Sequence, residues 1–131
     1  MTGDCIFCKL VKGEIKADFL YENKEFVAFM DINPVTKGHC LVIPKKHYRF
    51  FVDMPEQEFA DANKVVYKVS LALQKATGTD FITVGIEGMD VHHMHIHLIP
   101  RMMGDKVVSF NRTKYDKGEM DEYAEKIKSF L

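Results

Sequence analysis

The 131-residue chain has few cysteines, no basic run, no long apolar stretch and no internal repeat, and each absence closes off a class of function. Three cysteines, a small and odd number, leave no disulfide framework to read. The 18 Lys and Arg residues nearly balance 19 Asp and Glu, for a net charge of −1. No cluster of them marks the electrostatic footprint of a duplex nucleic-acid binder. The longest apolar stretches fall far short of the ~20 residues that a membrane-spanning helix needs. Met1-Thr2-Gly3-Asp4 has neither the basic nor the apolar region of a secretory signal. The expectation is a cytoplasmic protein whose thiols stay reduced, with no membrane and no nucleic-acid partner. With no linker-like or low-complexity stretch, residues 1–131 read as one domain, long enough to bury a core.

What the sequence does contain is a set of short, well-punctuated elements. Phe19-Leu20-Tyr21-Glu22 and Phe26-Val27-Ala28-Phe29-Met30 are rich in aromatic and branched residues and read as strands around an Asn23-Lys24 turn. Asn33-Pro34 breaks the chain, and Gly38 opens a third strand, His39 to Ile43. Asp53 and Glu56 stand at capping-box spacing around Pro55, ahead of a helix over about 54–77. Phe59, Ala62, Val66, Val69 and Leu73 give that helix one apolar face, and Gly78 stops it. Strands follow at Phe81–Val84 and His93–Ile99, separated by a turn that Gly85 and Gly88 bracket, and Pro100 ends the second. Met120, Tyr123, Ile127 and Phe130 predict a buried stripe on a last helix over about 119–130. Strands joined by short turns, with the helices set apart, indicate an α+β fold on a mainly antiparallel sheet.

Four histidines fall within six residues, in His92-His93-Met94-His95-Ile96-His97. Strand alternation puts His93, His95 and His97 on one face, with Met94, Ile96 and Leu98 on the other, and His92 off the imidazole face in a structural position. The imidazoles would be spaced by roughly 6.8 Å. One chemistry for such a row is metal chelation. A straight strand, however, sets its outer members roughly 13 Å apart at Cα, too far for one ion to collect all three without strain. The other is phosphoryl chemistry: a neutral imidazole is a good nucleophile, and neighbouring N–H groups bind phosphate oxygens and developing charge.

The run His93-Met94-His95-Ile96-His97-Leu98-Ile99 resembles, at every position, the His-φ-His-φ-His-φ-φ signature of the histidine triad (HIT) family, φ being apolar. Asp31-Ile32-Asn33-Pro34, Gly38-His39 and Leu41-Val42-Ile43-Pro44-Lys45-Lys46-His47 resemble further family segments, so the likeness covers about residues 4–101. It implies a HIT-like five-stranded sheet with one long and one C-terminal helix. It also implies a nucleotide hydrolase or nucleotidyl transferase, a small-molecule nucleotide substrate and a homodimer. Carried over by position, His95 is the nucleophile, His97 contacts the α-phosphate, and His39 stands beside the triad, where it would orient the nucleophile's tautomer. Phe29, Asp31 and Ile32 match base and ribose positions, and Asp90 departs from the pattern by standing where many relatives have Ser or Thr near the leaving group. Core packing for Phe29 and Ile32, and turn capping for Asp31, are the plainer alternatives.

Members with an N-terminal Cys-x-x-Cys, and the related galactose-1-phosphate uridylyltransferases, imply a structural zinc held by Cys5, Cys8, His47 and His93, with no organic cofactor. Many members carry Asn and a longer glycine-rich loop ahead of the triad, where this chain has Val84-Gly85-Ile86-Glu87-Gly88-Met89-Asp90. Cys40 is expected to face the core, Lys45-Lys46 to form a solvated turn, and Arg101 to be solvated or to steer anions. Tyr67 and Leu71, off the long helix's main stripe, offer a partner surface. Two other functions stay open: a nucleotide-binding module with little turnover, and a metal-dependent hydrolase that uses the histidine row directly.

Overall fold

The computed structural model describes residues 3–107 and 113–130. In chain order they form α1 (Ile6–Val11), β1 (Phe19–Glu22), β2 (Phe26–Met30), β3 (Cys40–Pro44), a 3₁₀ turn (Phe51–Asp53), α2 (Glu56–Thr77), β4 (Phe81–Ile86), β5 (Ile96–Arg101) and α3 (Glu119–Lys128). The five strands make one sheet in the order β1-β2-β3-β5-β4, and every neighbouring pair is antiparallel. The fold is α+β, as the element pattern indicates.

Alternation along β2 and β3 divides the sheet into two faces. Phe26, Ala28, Cys40 and Val42 join Ile96 and Leu98 of β5 under α2, where they meet Ala62, Val65, Val66, Val69 and Leu73. Cys40 is thus the core residue its alternation predicts, and burial pushes its thiol up to about 11. Val27, Phe29, Leu41 and Ile43 turn to the opposite face and pack against Phe7 and Leu10 of α1. The Asn23 side chain accepts from the N–H groups of Glu25 and Phe26 and closes the β1–β2 turn. Gly78 ends α2 in the left-handed region, at φ 64°, donating its N–H to the Gln74 carbonyl.

Several details depart from the sequence reading. The final strand starts at Ile96 rather than His93 and runs through Pro100 to Arg101. The Pro100 carbonyl accepts from the Thr36 hydroxyl, on the side of β5 where pairing with β3 has already ended at Cys40–Leu98. The missing proline N–H therefore costs no ladder bond. The expected capping box on α2 does not form. Asp53 instead closes its own 3₁₀ turn by accepting from the Phe50 N–H, and α2 begins at Glu56, directly after Pro55, without a side-chain cap. Gly85 belongs to β4 rather than to the turn after it. The six-residue helix α1 carries the Cys-x-x-Cys and has no counterpart in the sequence reading. Finally, the apolar stripe of α3 is exposed rather than buried: Met120, Tyr123, Ile127 and Phe130 all face outward, and no core cluster among the described residues includes them. The central strands are already covered on both faces, by α2 and by α1, which leaves α3 nothing to pack on there.

Candidate active site and metal centre

Cys5 caps the N-terminus of α1, and its sulfur accepts the Cys8 N–H at 3.4 Å. The turn so formed points both sulfurs at two imidazoles from distant parts of the chain. Cys8 Sγ lies 3.2 Å from His47 Nδ1, and His93 Nδ1 lies 3.4 Å from Cys5 Sγ and 3.5 Å from Cys8 Sγ. All four donor atoms fall within 4.8 Å of one another. Donors about 2.1–2.3 Å from a central zinc stand roughly 3.4–3.8 Å apart at tetrahedral angles; the three separations of 3.2–3.5 Å lie close to that spacing, and the two-sulfur, two-imidazole donor set suits that ion. His93 Nε2–H donates to the Pro44 carbonyl at 2.8 Å, which leaves the Nδ1 lone pair facing the sulfurs. Burial, before any other cause, lowers the His93 pKa to about 4, and burial and the neighbouring Cys5 push the Cys8 thiol up to about 11.

The other histidines form a hydrogen-bonded chain whose tautomers follow from its first donor. The Val35 N–H donates to His39 Nδ1 at 3.0 Å, so the ring proton of a neutral His39 sits on Nε2. That Nε2–H donates to His97 Nδ1 at 2.9 Å, which leaves His97 with an Nε2–H to offer a ligand. His95 is set separately: its Nδ1–H donates to the main-chain oxygen of His93 at 2.7 Å, leaving Nε2 with a free lone pair. His39 therefore reaches His97, not His95, and the tautomer of His95 is held by the backbone two residues before it. Burial lowers the pKa of both His39 and His97; nearby His95 and His39 add to the effect at His97, while Asp31 and Glu87 oppose it there.

Asp31, His39 and His97 also bring three ligand-type atoms together, with Asp31 Oδ2 3.7 Å from His39 Nε2. An ion there would have to displace the Nε2 proton that the Val35 contact dictates and break the His39–His97 bond. The geometry favours a proton-ordered chain over a metal at this second cluster.

A cavity of about 600 Å³ opens over His95. Phe29, Asp31, Ile32 and Asp90, all singled out in the sequence, line it, whereas His97 does not. Phe29 belongs also to the buried cluster beneath, but Ile32 is 91% exposed and stands at the rim, so core packing does not account for it. The Asp31 carboxylate accepts the Asn33 N–H at 2.9 Å through Oδ1, a turn-capping bond that leaves Oδ2 toward His39. Sequence reasoning missed the opposite wall, made by Ile6, Phe7 and Leu10 of α1. The Phe7 ring stands edge-on to Phe29, His93 and His95, with centroids 5.6, 5.9 and 5.3 Å away. A helix of six residues shows too little periodicity to be read, and its cap, Cys5, is not a residue type that marks a helix start. His92 lies away from the imidazole chain, beside a smaller cavity that Cys5 and His47 also line. Lys45 and Lys46 pair with Glu22 and Glu58, and Arg101 forks onto Asp105, which accounts for those cations locally.

A family model described as HIT domain matches residues 12–104. An uncharacterised HIT-like protein of Methanocaldococcus jannaschii is 43% identical over 129 residues, 95% of this chain and 98% of that protein. The chain belongs to the HIT family. Its HIT relatives include an adenylylsulfatase of Arabidopsis thaliana, 32% identical over 98% of this chain and 68% of that protein. They also include an adenosine 5'-monophosphoramidase of Saccharomyces cerevisiae, 39% identical over 77% of this chain and 65% of that protein. Among solved structures, a protein of Streptococcus mutans superposes with a TM-score of 0.87 at 36% identity, covering 98% of this chain and 86% of that one. A Zn-bound histidine triad family protein from Mycobacterium smegmatis superposes with a TM-score of 0.76 at 29% identity, covering 100% of both. The HIT match contains His47 and His93 but begins after Cys5 and Cys8.

Proposed function

We propose that this HIT protein is a nucleotide hydrolase or nucleotidyl transferase in which His95 Nε2 attacks the α-phosphorus of a nucleoside phosphate conjugate. The observation that carries the reading is the bare Nε2 of His95 beneath the cavity, its other nitrogen locked on the His93 carbonyl. The base would lie between Phe29, Ile32 and the α1 wall, with the ribose hydroxyls at Asp31. A phosphorus–nitrogen bond forms to His95 as the bond to the leaving group breaks, and the leaving group departs with that electron pair and takes up a proton. Water or another acceptor then attacks phosphorus, the phosphorus–nitrogen bond breaks with its electron pair returning to Nε2, and the acceptor's proton passes to solvent, which restores neutral His95. His97 Nε2–H is suited to donate to the phosphoryl oxygens as charge develops.

The cavity's charges narrow the leaving group. Asp18, Asp31 and Asp90 line it, and Lys16 is the one lysine or arginine among its described lining residues. Of these, Asp90 is the residue read as near the leaving group, and its negative charge there suits an amine, as in a nucleoside phosphoramidate, better than a polyanionic polyphosphate. Relatives named as an adenosine 5'-monophosphoramidase and an adenylylsulfatase support the wider class. The test is turnover of an adenosine phosphoramidate by wild-type protein and by His95→Asn, with mass spectrometry of protein quenched during turnover. A nucleotide adduct on the peptide holding His95 is expected. Near-normal turnover by the variant, or an adduct mapped only to His97, overturns the assignment.

The same reading includes a structural zinc at Cys5, Cys8, His47 and His93, supported by their donor geometry and by the Zn-bound relative. When bound, the ion would tie α1 to the histidine segment. Free thiols at such a site suit a reducing compartment such as the cytoplasm. No described helix is long and apolar enough to cross a membrane. A homodimer would cover the exposed Tyr67 and Leu71 of α2 and the stripe of α3. Sedimentation at micromolar concentration is expected to give about twice the chain mass, and a clean monomer would refute the dimer.

A further inference from the structure

One short helix builds parts of two sites. On α1, Cys5 and Cys8 meet His47 and His93, while Ile6, Phe7 and Leu10 form a wall of the nucleotide cavity. A six-residue helix is unstable alone in water, so its position depends on tertiary anchors. Phe7 and Leu10 supply one anchor, against the sheet. The cysteine pair supplies the other. His93 joins the sites from the far side, with Nδ1 on the sulfurs and its carbonyl oxygen holding His95. The cluster is also reachable: Cys5 and His47 line a cavity of about 320 Å³ with Asp90, which lines the nucleotide cavity as well. An ion can enter or leave on that side without disturbing the α2 core.

We propose that metal occupancy at Cys5, Cys8, His47 and His93 sets the affinity for nucleoside monophosphates by docking or releasing α1. The proposal rests on the zinc and nucleotide readings above. With the ion held, both cysteines are pinned to His47 and His93 and the cavity wall is complete. Without it, the cysteine anchor is reduced to weak S–H contacts, Phe7 and Leu10 alone hold α1 to the sheet, and α1 spends part of its time away from the cavity. Apparent affinity falls in proportion to the docked fraction, so docking in about a tenth of molecules weakens binding about tenfold.

The test measures AMP binding by calorimetry on zinc-loaded, chelator-stripped and zinc-restored wild-type protein, with metal content and amide hydrogen exchange followed on each sample. Stripping is expected to weaken AMP about tenfold and to expose the amides of residues 6–11, while residues 65–73 of α2 stay protected. Restoring zinc reverses both changes. Phe7→Ala is expected to keep its zinc and to bind AMP weakly whether loaded or not. Equal AMP affinity with and without metal overturns the coupling and leaves the zinc reading standing. Zinc retained by no sample overturns the zinc reading and the proposal with it. Loss of protection throughout α2 shows that the ion holds the whole fold, which overturns a local gate. AMP bound by no sample overturns the nucleotide reading instead.

Discussion

The two faces of the sheet are closed very differently. On one, the 22-residue α2 lays a continuous apolar stripe over Phe26, Ala28, Val42, Ile96 and Leu98. On the other, the six-residue α1 reaches the same strands with little more than Phe7 and Leu10, and a cavity of about 600 Å³ remains beside it. Stability is concentrated on the first face and chemistry on the second. Binding sites are drawn from parts of a protein with low local stability, because a fully packed surface leaves no room for a ligand.

Substitutions on either face test that division. The largest effect is expected from His95→Asn on the α1 face, which should reduce turnover by about four orders of magnitude or more while leaving the melting temperature nearly unchanged. Steady-state kinetics beside calorimetry would show it, and a large loss of stability would break the separation. On the opposite face, Ile96→Ala removes a side chain that is almost wholly buried under α2. It should cost about 2–5 kcal/mol of stability in urea unfolding, with the per-molecule turnover of folded protein largely kept.

His39→Ala removes the donor to His97 but touches neither the His95 tautomer nor the α2 core. A loss of roughly 10–100-fold in kcat, with little change in AMP affinity, is expected of a residue that acts through its neighbour. A change confined to KM would place His39 in nucleotide binding instead.

The smallest effect concerns pH. Burial lowers His39 and His97 below the ordinary imidazole value of 6.5. The unfolded chain therefore takes up protons at these positions before the folded one does, and their contribution is complete above pH 6.5 and declines as pH falls below it. Urea midpoints should be level at and above neutral pH and drop on acidification. The acid limb of the rate profile should also lie below 6.5, since a protonated His97 cannot accept from His39. An acid limb above 6.5 would contradict the ordered chain of neutral rings.

Local patterns in the sequence carried much of the architecture. Strand alternation placed Cys40 in the core, the three- and four-residue spacing of Ala62, Val66, Val69 and Leu73 marked the buried face of α2, and Gly78 marked its end. The donors Cys5, Cys8, His47 and His93 could be named from the family likeness because each belongs to a short motif. Tertiary structure alone decided which atoms pair, and by what backbone path. It sent His93 to the sulfurs rather than along a regular strand, joined His39 to His97 across 58 residues, and set the tautomer of His95 with a main-chain oxygen that no residue pattern identifies. It also exposed the α3 stripe that periodicity had placed inside. The reason is physical: periodicity states which side of an element is apolar, whereas the partner that covers that side, or the atom that shares its proton, is fixed by chain segments far away in sequence.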